Sequence, residues 1–160
     1  MSMSVIDAIR GLLNSHNISF RELHHEPTLT SEVSARVRGE ELRIGAKAIL
    51  LKTDEKFGLF VLPADGKLDS RAIQRYLGVK KLRFATSAEL FKITGLVPGS
   101  VPPFGRPVLP VDLYADPAVG SGTGRIAFNA GSLTVSIIMD AGDWARVALP
   151  VEFQLGLRKC

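Results

Sequence analysis

Apolar residues recur at helical spacing at the start of the chain. Val5, Ile6, Ile9, Leu12 and Leu13 fall on one face and predict an amphipathic helix over residues 4–16. Asn17 ends it. Residues 18–24 then read as a strand, broken at Glu26-Pro27. Thr30 or Ser31 is placed to cap a second helix that runs to about Arg38 and stops at Gly39. The period changes next. Ala46–Thr53 is a mostly apolar strand, Asp54-Glu55-Lys56 is a turn, and residues 57–62 return as the second arm of a hairpin closed by Pro63. Asp69 caps a helix carrying Ile73 and Leu77, with Gly78 just past its end. A short strand follows over residues 81–84. Thr86-Ser87-Ala88-Glu89 has the spacing of a capping box, opening a helix that holds Leu90 and Ile93 and stops at Gly95. Residues 108–114, 125–129 and 133–139 read as further strands. Asp140 caps a last helix with Trp144 and Val147.

Five helical and about seven strand segments in mixed order predict one α+β domain over residues 1–160. Its sheet is expected to be mixed and curved, barrel-like, with helices packed outside. Hairpins argue for antiparallel pairing, and interspersed helices argue against a sandwich. No repeat or low-complexity linker divides the 160 residues.

Composition narrows the classes of function. The apolar fraction of 46% and charged fraction of 22% are those of a globular protein, and no apolar run reaches membrane-spanning length. No membrane partner is therefore expected, and the N-terminus lacks the basic and apolar blocks of a secretory signal. The only cysteine is Cys160, which permits no intrachain disulfide and suits a cytoplasmic location. Net charge is +4, which tolerates a polyanionic partner without demanding one. The basic runs Arg36/Arg38, Lys80/Lys81/Arg83 and Arg158/Lys159 each read best as solvated faces.

Residues 94–105 form the most distinctive stretch, with three glycines and three prolines in twelve positions. Proline removes amide donors and fixes φ, while glycine opens backbone angles closed to other residues. A loop of restricted shape results. It is either a plain connector or a backbone surface that a small ligand can approach closely.

Lys47 is the second conspicuous feature. Strand alternation puts it on one face with Ile49 and Leu51, opposite Ala46, Ala48 and Leu50, so both of its possible surroundings are apolar. An unpaired cation there costs several kcal/mol unless it meets an anion or reaches solvent along its stem. It is either an edge-strand lysine or a ligand anchor.

Other candidates are weaker. His24, His25 and Glu26 alternate across a strand and lack further ligands at suitable spacing, so no metal is expected. No serine sits in a nucleophile elbow. Residues 120–124 are glycine-rich but no lysine follows, so they read as a turn rather than a phosphate loop. Asp65 and Asp69 read as turn and cap residues. What remains is one lysine and one rigid loop, an arrangement suited to binding a phosphate-bearing substrate and stabilising an oxyanion by backbone groups.

Taken in order, several segments resemble the YbaK/prolyl-tRNA synthetase-associated editing domains. They are His25-Glu26-Pro27-Thr28, the helix from Ser31, Gly45-Ala46-Lys47-Ala48, Leu62-Pro63-Ala64-Asp65 with Lys67-Leu68-Asp69, Leu77-Gly78-Val79-Lys80-Lys81, Gly99 to Pro103 with Phe104-Gly105, and Asn129-Ala130-Gly131. The resemblance spans residues 5–153. It implies a trans-acting deacylase that hydrolyses mischarged tRNA(Pro) bearing alanine or cysteine, without metal or cofactor, by water or substrate-assisted attack. Lys47, Gly99 and Pro103 are the implied catalytic set, with Lys47 at the phosphate region of the terminal adenosine. Ser100, Val101, Pro102, Phe104, Asn129, Gly131 and His25 are implied to contact the substrate. The implied partners are the tRNA(Pro) acceptor end and, as a candidate, prolyl-tRNA synthetase. Two other classes stay open: a non-catalytic tRNA-binding module and a protein–protein adaptor.

Overall fold

The structure, a computed structural model, describes residues 3–28, 30–121 and 124–157. Cys160, Arg158, Lys159, Gly122 and Thr123, all discussed above, lie outside the described residues.

Local capping sets the element boundaries. Helix α1 (Val5–Ser15) starts at Ser4, whose side chain accepts the Asp7 amide, and buries Ile9 and Leu13. Strand β1 (Phe20–His24) follows. Thr30 caps α2 (Ser31–Arg38) by accepting from the Val33 amide, and left-handed Gly39 ends it. A 3-10 turn over Leu42–Ile44, absent from the sequence expectation, leads into β2 (Ala46–Thr53) and β3 (Lys56–Pro63). Asp69 caps α3 (Ser70–Leu77), and β4 (Leu82–Phe84) comes next. The expected capping box opens α4 (Ser87–Thr94), with Thr86 and Glu89 each satisfying the other's amide. Removing such a cap costs about 1 kcal/mol. The chain finishes with β5 (Asp112–Ala115), β6 (Arg125–Asn129), β7 (Val135–Asp140), α5 (Ala141–Ala148) and β8 (Val151–Glu152).

The domain is a single mixed α+β unit, but the barrel-like sheet needs correction. The strands form two sheets, a three-stranded one ordered β1-β7-β6 and a five-stranded one ordered β4-β2-β3-β5-β8. β3, β5 and β8 run parallel, and the other pairings are antiparallel. The two sheets share no strand pairing; among the described residues, an isolated bridge from Gly45, just before β2, to Ala127 of β6 connects them. The strand expected at 108–114 is shorter, because Pro107 and Pro110 keep residues 106–111 in turns.

The larger core lies between the sheets. It joins Ile9 and Leu13 of α1, Leu50, Leu59 and Leu113 of one sheet, and Ile126, Phe128 and Ile137 of the other. Phe104 meets Phe128 edge-on at 5.6 Å. A second cluster of Leu51, Phe60, Leu62, Ile73, Phe153 and Leu155 covers the opposite face of the five-stranded sheet. Strands β2 and β3 are thus buried on both faces, which explains why β2 carries apolar residues at odd and even positions alike.

Candidate functional site

Strand β2 is paired along its whole length with β3, but β4 pairs only with residues 51–53. Its first half therefore presents an edge at the junction of the two sheets. The Gly45 carbonyl accepts from Ala64 on the β3 side, while the Leu50 carbonyl accepts from Ala85 on the other. Main-chain groups alternate sides along a strand, so those of Ala48 face the same way as those of Leu50, toward the edge where β4 has ended.

An open cavity of about 140 Å³ lies along this edge. Gly45, Ala46, Lys47 and Ala48 form one wall, Gly99 and Val101 another, and α2 with its leading turn contributes Thr28, Thr30, Ser31, Ser34 and Arg38. Asn129 completes it from β6. The lysine and the glycine loop, separated by about fifty residues of sequence, thus share one cavity.

Lys47 is half-buried, and its Nζ donates to the Gly66 carbonyl in the turn after β3. Burial lowers its pKa from the usual lysine value, with Asp65 and Glu32 pulling the other way. Gly99 adopts φ +87°, and a Cβ there would come within 3.3 Å of the Leu133 side chain. Glycine is the residue that takes this angle without strain.

The polar end of the cavity is a connected network. Arg38 donates from Nε to Ser136 Oγ and from a terminal nitrogen to Asn129 Oδ1, both at 2.9 Å. Ser136 Oγ also donates to Asn129 Oδ1 at 3.1 Å. These two donors fix the amide orientation of Asn129. Its Nδ2 then donates to the Gly99 carbonyl at 2.8 Å and to Thr28 Oγ1 at 3.3 Å. Asn129 is a strut from the buried arginine to the glycine loop. Burial lowers the Arg38 pKa and Glu40 opposes this; a guanidinium remains charged near neutral pH.

The sequence-derived residues divide accordingly. Lys47, Gly99, Val101 and Asn129 line the cavity. Pro102, Pro103 and Phe104 are buried beneath the loop, and the Pro103 carbonyl accepts from Trp144 Nε1 at 2.8 Å. Ser100 turns its hydroxyl back to the Val97 carbonyl. Gly131 packs under α1, where a Cβ would meet Val5 at 2.9 Å. His25 stands behind the network, with Nε2 2.8 Å from Ser136 Oγ. These six brace the site rather than line it.

Sequence alone groups Arg38 with Arg36 as a solvated pair, and the structure instead places it, half-buried, at the cavity. A signal was present. It follows the small residues Ser34 and Ala35 by four and three positions, on the face that α2 buries. Thr28, Ser34 and Ser136 carried no comparable signal. Among the described residues, no three His, Cys, Asp or Glu side chains group closely enough to hold a metal ion.

The aminoacyl-tRNA editing domain family matches residues 25–147, most of the chain and every wall of this cavity. The chain belongs to the aminoacyl-tRNA editing domain family. The editing resemblance read from the residues is thereby shown, and with it the enzyme class, an ester hydrolase acting on aminoacyl-tRNA. The chain is 35% identical over 144 residues to the multifunctional Ser/Thr-tRNA deacylase ProXp-y of Escherichia coli (strain K12), covering 87% of this chain and 85% of that one. It is 29% identical over 107 residues to the prolyl-tRNA editing protein ProX of Acetoanaerobium sticklandii, covering 66% and 65%. A solved structure described as a candidate trans-editing enzyme for prolyl-tRNA synthetase has the same fold, with TM-score 0.81, 22% identity and coverage of 98% and 100%. Among the described residues, no helix is long and apolar enough to cross a membrane.

Proposed function

We propose that the protein hydrolyses, in trans, the ester between a small hydroxylated amino acid, serine or threonine, and the 3′-terminal ribose of a mischarged tRNA. The observation that carries this reading is the lining of the cavity. Thr28, Thr30, Ser31, Ser34, Asn129 and Arg38 line a space of about 140 Å³ together with Gly45, Ala46, Ala48, Ala64 and Val101, a mixed polar and apolar surface that suits a small side chain carrying one hydroxyl. The relative named as a Ser/Thr-tRNA deacylase supports the same choice.

Size and polarity divide the selectivity. The Gly99 loop is held at fixed height by Asn129 and closes the space to large side chains. An apolar wall separates neighbours by only about 10–200-fold per methylene, whereas a site built to bind a hydroxyl rejects an analogue without it by roughly 10⁴–10⁵. Recognition of the substrate hydroxyl is therefore the stronger filter.

The reaction adds water across the ester and releases the free amino acid and the 3′ end. Lys47 supplies the mobile positive charge and holds an anionic oxygen of the substrate. Gly99 lets the ester approach the main chain without a side chain in the way. Water, unassisted by a protein nucleophile, attacks the carbonyl, and the substrate's own hydroxyl is placed to share in orienting it. Fixed dipoles and charges aimed at the developing oxyanion supply catalysis in such a site.

Alanine or cysteine on tRNA(Pro) is the second reading, supported by the likeness to ProX and by the prolyl-tRNA synthetase connection of the structural neighbour. Partial matches to two proline–tRNA ligases keep that synthetase as the candidate protein partner. A panel of seryl-, threonyl-, alanyl- and cysteinyl-tRNA decides between them. The first reading predicts fast loss of the seryl and threonyl esters. Preference for alanyl- or cysteinyl-tRNA(Pro) replaces it with the second, and no deacylation above buffer removes both.

A further inference from the structure

A second cavity, of about 280 Å³, lies on the other side of Ala48. It shares Ala48, Gly99 and Val101 with the polar cavity and continues along β2 past Ile49 and Leu50. Phe84, Ala85, Leu90 and Pro98 give it a largely apolar surface, and Thr86 and Ser87 also line it. Two compartments, one with a polar end and one largely apolar, thus meet at one wall, where the main chain of Ala48 faces outward.

An ester has two ends. If the hydroxylated acyl group fills the polar compartment, the ribose oxygen on the far side of the carbonyl leads away from it. The shared wall of Ala48, Gly99 and Val101 sets the direction of exit, into the apolar compartment. We propose that this compartment is the subsite for the terminal purine base of the tRNA, with the Phe84 ring as its stacking face. This rests on the reading of the polar cavity as the acyl site.

Phe84 suits the role. It ends the edge strand β4, opposite Leu51, and is 62% exposed. A large ring left in water at a cavity wall is a poor core residue and a ready platform for a flat heterocycle, because every base has a π-face. The surrounding charge fits a polyanion. Residues 79–93 carry Lys80, Lys81, Arg83 and Lys92 against Glu89 alone. Glu89 is bound by Arg83 at 2.8 Å, and nearby Asp54 accepts the amides of Lys80 and Lys81. Both lysine side chains are exposed, so they are free to meet the phosphates of the preceding nucleotides. The run that read as a solvated face in isolation becomes, with Phe84 and the cavity, an aromatic and basic track leading to the ester.

The test uses an RNA acceptor minihelix with 2-aminopurine as its 3′-terminal base and a non-hydrolysable amide-linked serine. Binding to the wild type is expected to change 2-aminopurine fluorescence. Phe84→Ala should abolish that change and weaken binding about tenfold, and Phe84→Trp should restore both. The exposed position keeps these variants folded. In deacylation, Phe84→Ala should raise KM for every aminoacyl group alike, with a smaller change in kcat. Equal fluorescence and affinity in Phe84→Ala, or no binding by the wild type, overturns the subsite. So does a changed ranking of aminoacyl groups, which would put the acyl side chain there instead. A wild type that deacylates with a KM indifferent to Phe84 sinks the subsite alone. One that binds through Phe84 without deacylating sinks the hydrolase reading alone.

Discussion

Two cations face one cavity, and they are held in opposite ways. Arg38 is bonded by two neutral side chains, Ser136 and Asn129, in a network that reaches the Gly99 carbonyl. Lys47 rests on a single main-chain carbonyl, that of Gly66, with Asp65 as its foremost opposing charge. The arginine is a fixed donor array whose geometry sets that of its neighbours. The lysine is a point charge on a flexible stem, able to leave one carbonyl for a substrate oxygen. In the proposed reaction, Arg38 supplies framework and Lys47 supplies the chemistry.

The largest expected effect breaks the chemical side. Lys47→Ala should lower kcat/KM at least about 100-fold, the usual scale for losing an oxyanion or phosphate contact, while Tm moves little. A matching collapse of Tm would make Lys47 a structural residue. Next comes the framework side. Arg38→Met leaves Asn129 Oδ1 and Ser136 with one donor fewer in a buried setting, at a cost of about 1–3 kcal/mol. Thermal melts should show that loss, and activity should fall with it because Asn129 no longer holds Gly99. Arg38→Lys, with one donor group in place of a fork, should recover only part of either.

A pH profile sharpens the contrast further. Burial lowers the Lys47 pKa, so the charged form, and activity depending on it, is lost as pH rises through a value below the ordinary 10.5. The same shift makes folding stability rise with pH through that window, since the unfolded chain holds the proton longer. An alkaline limb in deacylation, corrected for spontaneous ester loss, should be present in the wild type and absent in Lys47→Arg. The smallest effect lies away from the cavity. Arg10 grips Glu22 from α1 to β1, at 2.8 and 2.6 Å, and holds its carboxyl down to about 2, with His24 assisting. That stability is complete above the ordinary glutamate value of 4.5 and fades as pH falls toward 2. Glu22→Gln should lower Tm by a degree or two at pH 7, converge with wild type near pH 2, and leave deacylation unchanged.

The parts of this architecture that local chemistry decides were legible in the sequence. Thr30, Asp69, Thr86 and Asp140 cap helices as their spacing predicted, because a cap is satisfied within three residues. The division into two sheets was not legible. It depends on which strand meets which, and β7 lies between β1 and β6, pairings no local pattern encodes. Lys47 and Gly99 stood out because a buried charge and a proline-rich glycine loop each violate the local rule. Arg38 looked like any helix-end arginine. Its importance arises only from Asn129 and Ser136, about ninety and a hundred residues further on, which turn a polar residue at the end of α2 into the anchor of the loop.

The most direct measurement is a crystal structure with 3′-seryl-amido-adenosine, a non-hydrolysable mimic of the ester. The account predicts the seryl group in the polar cavity with its carbonyl between Ala48 and Gly99, the Lys47 ammonium turned from Gly66 to the ligand, and the adenine against Phe84. A ligand seated elsewhere, such as the cavity beside Arg43 and Asp116, with Lys47 still on Gly66, would contradict it.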